Sequence, residues 1–563
     1  MMALQRRTYP QVDPGAGGLM HRALAVCPPQ ATVTQALALL RRRRLRLLVT
    51  REGNRAGVVL PADLKGARAL GLESRQARDV ARWGSPVVTP RASEVSVRRL
   101  LLEGAPAVLV REGRRIVGAV EASIPPAVPP AISLLPRLER ELPGPTLDCL
   151  RRIGAAAEAI GARAYAVGGC VRDLLLGRGS SELDIAVEGD ALALARRLAS
   201  EWGGSLLVHR TFGTATLEGG AGSRLDIATA RRERYQMPGA LPIVAPASIE
   251  EDLLRRDFSV NALAIALAPR GFGDLLDPLR GAADLRRRRL RILHPLSFVE
   301  DPTRIFRAVR YQSRLGLTLE PGSRRALRLA IALAPYPALS GQRLAAELEL
   351  ILAEPAGPLS LMTLGRWGAM KLLDPAYRFS GLAARRAADL GRLLERLRGH
   401  AIALDALPLG LLALLGHSPP EVAQRCLKRL ALSGEPLAQL TTGLRDGPSL
   451  AEQLRRERTA PASARASLMR GRPLASLAGA WLAGGAAARR QVEWFLVEGR
   501  TVHPLLGGDD LLALGAPRGP RIRDLLDRLR DCRLDGVATT REEELALARQ
   551  WIGSAERAET CSS

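Results

Sequence analysis

The sequence predicts an α+β protein. A small α/β head is followed by an all-helical region and preceded by a separate module of two repeated β–α–β units. Three observations predict this. Short apolar runs ending in glycine alternate with helical periodicity between residues 146 and 279. Beyond about residue 280, apolar residues recur at three- and four-residue spacing. Near the N-terminus, Thr50-Arg51-Glu52-Gly53-Asn54-Arg55 returns about sixty residues later as Val110-Arg111-Glu112-Gly113-Arg114-Arg115.

The elements follow in order. In the repeat region (1–123), each copy places a helix, Pro29 to Arg44 and Pro90 to Glu103, before a hairpin with Glu-Gly at its tip. Residues 124–145 carry Pro125, Pro126, Pro129, Pro130, Pro136, Pro143 and Pro145 and read as a proline-rich linker. Thr146 is placed to cap the next helix. Tyr165-Ala166-Val167 reads as a buried strand running into the turn Gly168-Gly169, and Val171 to Leu176 as a helix start. Leu183 to Val187 and Arg224 to Glu233 read as two further strands. Thr540-Arg541-Glu542-Glu543 is a capping box for a late helix.

The head carries the chemistry. Glycines 168 and 169 lack Cβ atoms, so backbone N–H groups can approach a phosphate, and a helix N-terminus favours an anion. Arg172 offers a fork of donors to a triphosphate, with Asp173 beside it. Glu182 and Asp184 share one strand face and form a hard oxygen pair suited to Mg²⁺. Asp226, on the third strand, adds an inward carboxylate. Each half of this pattern alone is common at strand ends for turn and solubility reasons. Together, in strand–turn–helix–strand order, they suit a nucleoside triphosphate with two divalent metals.

Downstream stand Arg255-Arg256-Asp257-Phe258-Ser259-Val260-Asn261 and Glu300-Asp301-Pro302-Thr303-Arg304-Ile305-Phe306-Arg307. With these the chain resembles the class II tRNA nucleotidyltransferases: the CCA-adding and A-adding enzymes and bacterial poly(A) polymerases. The resemblance covers roughly residues 145 to 355 and resumes at Gly508 to Gly515 and Leu534 to Glu543. It implies a nucleotidyltransferase head (146–279), a helical neck with a base-template motif (280–355), and a helical body and tail that bind tRNA (356–563). It implies catalytic roles for Glu182, Asp184 and Asp226, with two Mg²⁺ ions on Glu182 and Asp184. Nucleotide contacts are implied for Gly168, Gly169, Arg172, Asp173, Arg255, Arg256, Asp257 and Asn261. Asp301 and Arg304 match the base template, Arg307 and Arg310 continue that helix face, and Arg343 and Glu347 resemble a supporting helical motif. The partners implied are tRNA, ATP and CTP.

The template has a chemical rationale of its own. An Asp–Arg pair presents acceptors and donors that match cytosine and adenine but not uracil. The competing reading of Asp301 and Arg304 is a surface ion pair at i,i+3.

Glu182 departs from the family, which normally has two aspartates. Backbone adjustment, a longer metal-binding arm and weakened activity stand as alternatives. Substrate choice also stays open between A addition and full CCA addition, with poly(A) synthesis on general RNA, or a weakened RNA-binding relative, as further readings. The uninterrupted segment from Arg234 to Leu254, read as a flexible loop, disfavours a CC-only enzyme. The text Tyr235 to Ala240 resembles A-adding relatives.

The N-terminal repeats resemble a tandem CBS pair. In such modules Asp63 would match a ribose-binding acid, whereas Leu60 lacks the expected hydroxyl and the second copy has Glu121 and Ser123. Nucleotide binding, a scaffold role and dimerisation through the module all remain open.

Composition is consistent with this reading. A net charge of +25 favours a polyanionic partner, although lysine occurs only at Lys65, Lys371 and Lys428, so arginine usage is biased throughout. The six cysteines form no Cys-x-x-Cys pair, and Cys170 reads as a packing residue rather than a nucleophile. The apolar stretch 401–416 is broken by Asp405 and Pro408 and is too short to span a bilayer. A cytoplasmic location with no membrane partner is expected.

Overall fold

The computed structural model describes residues 15–102, 104–121, 132–179, 182–210, 213–219, 224–400, 402 and 405–560. The chain divides into two compact units, Met1–Leu339 and Ser340–Ser563. The division falls inside the stretch 280–355 read as a neck.

In the first unit the N-terminal repeats form two small sheets. Strands β1 (Leu24–Val26), β2 (Leu47–Glu52), β3 (Arg55–Val59) and β4 (Arg82–Trp83) lie in that order. Strands β5 (Val87–Val88), β6 (Ala107–Glu112) and β7 (Arg115–Glu121) form the second sheet. In each, a parallel pair is followed by an antiparallel hairpin. Gly53 and Gly113, at the two tips, adopt φ +55° and +57°, a backbone region that glycine enters without steric cost. Leu47, Val49, Ala56 and Val58 of one sheet share a buried cluster with Ala107, Leu109 and Ala119 of the other. The sequence duplication is therefore a structural duplication with a common core. The helices occupy Val33–Arg43, capped by Thr32, and Glu94–Leu102, each shorter than the spans predicted. Ser123 lies outside the described residues.

The head is built on one mixed sheet. Its strands are β8 (Ile132–Ser133), β9 (Arg163–Val167), β10 (Glu182–Glu188), β11 (Ser205–His209), β12 (Thr214–Glu218), β13 (Arg224–Thr229), β16 (Ala264–Ala266) and β17 (Asp274–Leu276), in the spatial order β11-β12-β13-β10-β9-β16-β17-β8. β10 and β13 run parallel, and the other pairs are antiparallel. Tyr165, Val167, Ala186, Ala262 and Ala264 form the buried face with Ile249, Leu253 and Leu293.

Three expectations are corrected. Residues 124–131 of the linker lie outside the described residues, but Ile132–Ser133 is the edge strand β8, and Leu135–Glu141 is a helix. The following helix runs Gly144–Glu158 with Pro143 at its cap and a proline in its first turn, so Thr146 lies inside it. The segment read as a flexible loop contains β15 (Ile243–Pro246), paired with β14 (Arg231–Arg234), and the helix Ile249–Leu254, capped by Ser248 with Glu251. The helical region also contains a short parallel pair, Arg289–Leu290 with Thr318–Leu319.

The second unit is helical, from Gly341–Leu352 to Arg541–Thr560. The helices Gly434–Arg456 and Leu474–Ala483 pack closely where Gly443 and Gly447 face Gly479. Near its end, the buried Glu544 carboxylate accepts from the Leu505 and Leu506 amides at 2.8 and 3.0 Å. Thr540 and Glu543 form the expected reciprocal cap. No helix among the described residues is long and apolar enough to cross a membrane. Of the apolar stretch 401–416, Ala406–Leu415 is a helix, while residues 401, 403 and 404 lie outside the described residues.

Candidate active site

The glycine turn lies at the C-terminal end of β9. Gly168 has φ +72°, and Gly169 begins the helix Gly169–Leu175. A Cβ added at Gly168 would lie 2.8 Å from Arg256 Nη1 and 3.6 Å from Asp184 Oδ2. The turn, a guanidinium and a carboxylate thus converge, and glycine is required by both backbone and space. Cys170 donates to the Val167 carbonyl at 3.2 Å. Its thiol is pushed up to about 11 by burial and then by Asp184, which keeps it protonated and supports the packing reading.

The carboxylates come from two adjacent parallel strands. Asp184 is directly opposite Asp226, and Glu182 is opposite Arg224. Burial, foremost, raises the Asp184 carboxyl above its ordinary range. Arg256 opposes that rise, while Asp226 and Glu182 add to it. Asp226 accepts from Thr216 Oγ1 at 2.6 Å and pairs with Arg224 at 3.3 Å, so its two oxygens are engaged within the sheet. Among the described residues no three His, Cys, Asp or Glu side chains converge as a metal cage. Glu182 and Asp184, two residues apart on one strand, are the pair that could hold a divalent cation. Mg²⁺ accepts such a set, because substrate phosphates and water complete its shell. Mutual repulsion of the clustered carboxylates is what a divalent cation would relieve.

Arg172 is buried. Its Nε and Nη2 donate to Asp173 at 2.9 and 2.8 Å, and its Nη1 donates to Asn261 Oδ1 at 2.7 Å. The expectation of an open fork on a triphosphate is therefore revised: these donors fix neighbouring side chains. Asn261 in turn donates to Asp257 Oδ1 at 2.9 Å, and Arg307 Nε donates to Asp257 Oδ2 at 2.8 Å. Arg307 Nη2 donates to the Tyr311 hydroxyl at 2.8 Å. The guanidinium carbons of Arg172, Arg307 and Arg310 lie 5.3, 5.4 and 5.7 Å from the Tyr311 ring centre. Burial would raise the Asp257 carboxyl, but Arg307, Asn261 and Arg304 outweigh it and hold it below its ordinary range.

A second network is centred on Asp252, which sequence reasoning missed. Its Oδ1 accepts from Arg255 Nη2 at 2.8 Å, from Arg255 Nε at 3.0 Å and from the Arg231 amide at 3.1 Å. Its Oδ2 accepts from Arg256 Nη2 at 3.0 Å. Burial opposes ionisation, yet Arg256 and Arg255 hold this carboxyl low. The capping box Ser248-x-x-Glu251 was its only sequence signal, marking the helix that delivers it. Arg255 also donates to Glu233 Oε1 at 2.8 Å.

Arg304 is buried, which overturns the reading of Asp301 and Arg304 as a surface ion pair. Its Nη1 donates to Ser297 Oγ at 2.7 Å and its Nη2 to the Arg255 carbonyl at 3.0 Å, with the Tyr235 hydroxyl 3.4 Å away. Asp301 Oδ1 accepts from the amide and hydroxyl of Thr303 at 3.0 and 2.7 Å. Arg304 thus ties Ser297 to the backbone of Arg255.

Arg343 and Glu347 lie one turn apart on the helix Gly341–Leu352 of the second unit. Asp63, expected at an open ribose site, is buried, and both its oxygens accept from Arg82, at 2.8 and 2.9 Å. A ribose would have to displace this bidentate pair, so the expectation is corrected. Arg82 Nη1 also donates to the Leu293 carbonyl at 3.3 Å, and Arg325 Nη1 donates to Glu52 at 2.8 Å. These contacts join the repeat module to the segments that carry Leu293 and Arg325.

Residues 164–291 match the family described as the poly(A) polymerase head domain. The A-adding tRNA nucleotidyltransferase of Halalkalibacterium halodurans is 32% identical over 75% of this chain and 96% of its own length. That of Geobacter sulfurreducens is 34% identical over 74% of this chain, which spans about half (48%) of that relative. Among solved structures, the Thermotoga maritima CCA-adding enzyme complexed with tRNA is similar, with a TM-score of 0.62 at 28% identity, covering 75% of this chain and 98% of that one. A head of this construction, followed by a helical body, defines a nucleotidyltransferase, and the chain belongs to the class II tRNA nucleotidyltransferase family.

Proposed function

We propose that this chain extends the 3′ end of tRNA, transferring AMP from ATP to a tRNA that ends in CC, with release of pyrophosphate. The observation that carries the reading is the convergence of the Gly168 turn, the Arg256 guanidinium and the Asp184 carboxylate, with Asp226 opposite Asp184. Phosphate oxygens are received at the turn and at the Arg256 guanidinium, a positive donor group held beside Gly168. Glu182 and Asp184 would hold Mg²⁺, which when bound supplies neutralisation of phosphate charge and activation of the attacking hydroxyl.

The other residues orient. Arg172, Asn261, Asp257 and Arg307 form a continuous chain of hydrogen bonds that fixes the floor of the site. Buried Arg304, held by Ser297 and the Arg255 carbonyl, is preorganised beside Asp301 to read the amino and ring-nitrogen edge of an incoming base. Adenine specificity is favoured by the full-length hairpin β14–β15 and by Gly239, whose amide donates to the Glu300 carbonyl at 3.1 Å and ties that segment to the template. The repeat module, a CBS-like pair in this reading, is a scaffold, since its ribose-binding acid is committed to Arg82.

The test offers tRNA ending before CCA, in C or in CC, and an unrelated RNA, each with Mg²⁺ and one labelled triphosphate. One A added to tRNA-CC supports the proposal. Addition of both C and A assigns the full reaction, and long tails on any RNA assign a poly(A) polymerase. No addition to bound tRNA-CC refutes the enzymatic reading.

A further inference from the structure

A groove of about 530 Å³ lies between the repeat module and the head, away from the glycine turn. One wall is the helix Pro61–Ala69, with Lys65 and Arg68; the other carries Glu233, Arg234, Tyr235 and Glu300. Its charges are unevenly satisfied. Glu233 accepts from Arg255, Arg231 and Tyr235, and Glu300 pairs with His294 at 3.2 Å. Lys65, Arg68 and Arg234 are exposed and have no ion-pair partner among the described residues. The groove therefore presents a net excess of unneutralised cations to an anion.

We propose that this groove is a backbone-phosphate contact for RNA, so that the repeat module takes part in holding the substrate. The inference rests on the tRNA-extending function proposed above and adds to it a surface outside the head. A polynucleotide is favoured over a free nucleotide on two grounds. The cations are exposed along an open groove, whereas a nucleotide site encloses a base. Asp63, the acid of the same helix that would face a ribose, is closed off by Arg82. The groove also borders the template: Glu300 precedes Asp301, and the Tyr235 hydroxyl lies 3.4 Å from Arg304 Nη2. RNA whose 3′ end reaches the template would pass along this wall.

The experiment uses the full chain carrying Lys65→Gln and Arg68→Gln together. Both side chains are exposed, so folding is retained, which the thermal midpoint verifies. The affinity for tRNA-CC is measured by filter binding across a salt series, alongside KM for tRNA and for ATP. A separate arm titrates ATP alone, without RNA, into wild type and variant. The expected result is a KM for tRNA raised about five- to tenfold at low salt, KM for ATP unchanged, and a salt slope of log K reduced by about one to two. An active enzyme whose tRNA affinity and salt slope are unchanged by the substitutions overturns the groove and leaves the proposed function standing. Loss of ATP binding with unchanged RNA affinity also overturns it, assigning a free-nucleotide site. A wild-type chain that neither binds nor extends tRNA refutes the proposed function, and the groove falls with it.

Discussion

Replacing Asp252 with asparagine probes how the site is held together. Asp252 touches no reacting atom in this reading, yet it binds both Arg255 and Arg256 and is almost fully buried. Asparagine keeps one oxygen for Arg255 and the Arg231 amide, but turns an N–H donor toward Arg256. Arg255 retains Glu233, so the loss concentrates on Arg256, the guanidinium that lies against Gly168 and Asp184. Charge-assisted hydrogen bonds contribute about 1.5–3 kcal/mol each, and removing one partner of a buried pair costs about 3–5 kcal/mol. Because Arg255 keeps Glu233 and asparagine stays polar, the loss at Arg256 falls at the low end of that range, about 3 kcal/mol. Expressed in the transition state, that is roughly a 100-fold loss of kcat/KM for ATP. The assay is single-A incorporation into tRNA-CC under varied ATP, with tRNA affinity measured separately and expected to stay within about twofold of wild type. A cycle with Arg256→Gln is expected to be strongly non-additive, because both changes break the same contact. Activity of Asp252→Asn within about threefold of wild type, or full additivity, would refute the reasoning.

Other outcomes follow from the same geometry. Gly168→Ala places a Cβ 2.8 Å from Arg256 at φ +72° and is expected to lower kcat at least tenfold, read in the same incorporation assay. Glu182→Gln, which removes charge from the strand face shared with Asp184, is expected to cost about 100-fold in kcat; Glu182→Asp is expected to retain measurable turnover. Cys170→Ala is expected to leave kcat within about threefold, since the protonated thiol only packs. Asp252 and Asp257 have folded pKa values below their unfolded ones, so their stabilisation is present above the ordinary aspartate range and is lost as pH falls through the depressed folded values. Thermal melts from pH 5 downward are expected to show this loss, and it should be smaller in Asp257→Asn.

Much of the head was legible because its signals are local. The apolar run to Val167, the glycine pair and the alternation of Glu182 to Val187 each specify an element within a few residues, and the elements occur as expected. The duplicated module was legible from its repeated hairpin text. What escaped were partners set by distant packing. Asp252 and Tyr311 lie on helices whose sequence shows only ordinary capping and amphipathicity: Asp252 grips Arg255 and Arg256 within the next turn, Tyr311 meets Arg307 one turn back, and only the Tyr311 contact with Arg172 comes from far along the chain. Arg172 looked available because its bond to Asn261 bridges residues separated by 89 positions. Asp63 looked available for the same reason, since Arg82 returns to it from β4. The strand Ile132–Ser133 was hidden in a proline-rich stretch because two residues carry no periodicity, and only the open edge at β17 defines it.

The central claim is that Asp184, at the glycine turn, serves transfer of a single adenosine to tRNA. The most direct measurement follows label from ATP into tRNA ending in CC, with Mg²⁺, for the full wild-type chain and for Asp184→Asn. The expected result is one A per tRNA for wild type and a loss of at least about 100-fold for the variant, with tRNA still bound. Equal incorporation by both proteins, or none by wild type on bound tRNA, would contradict it.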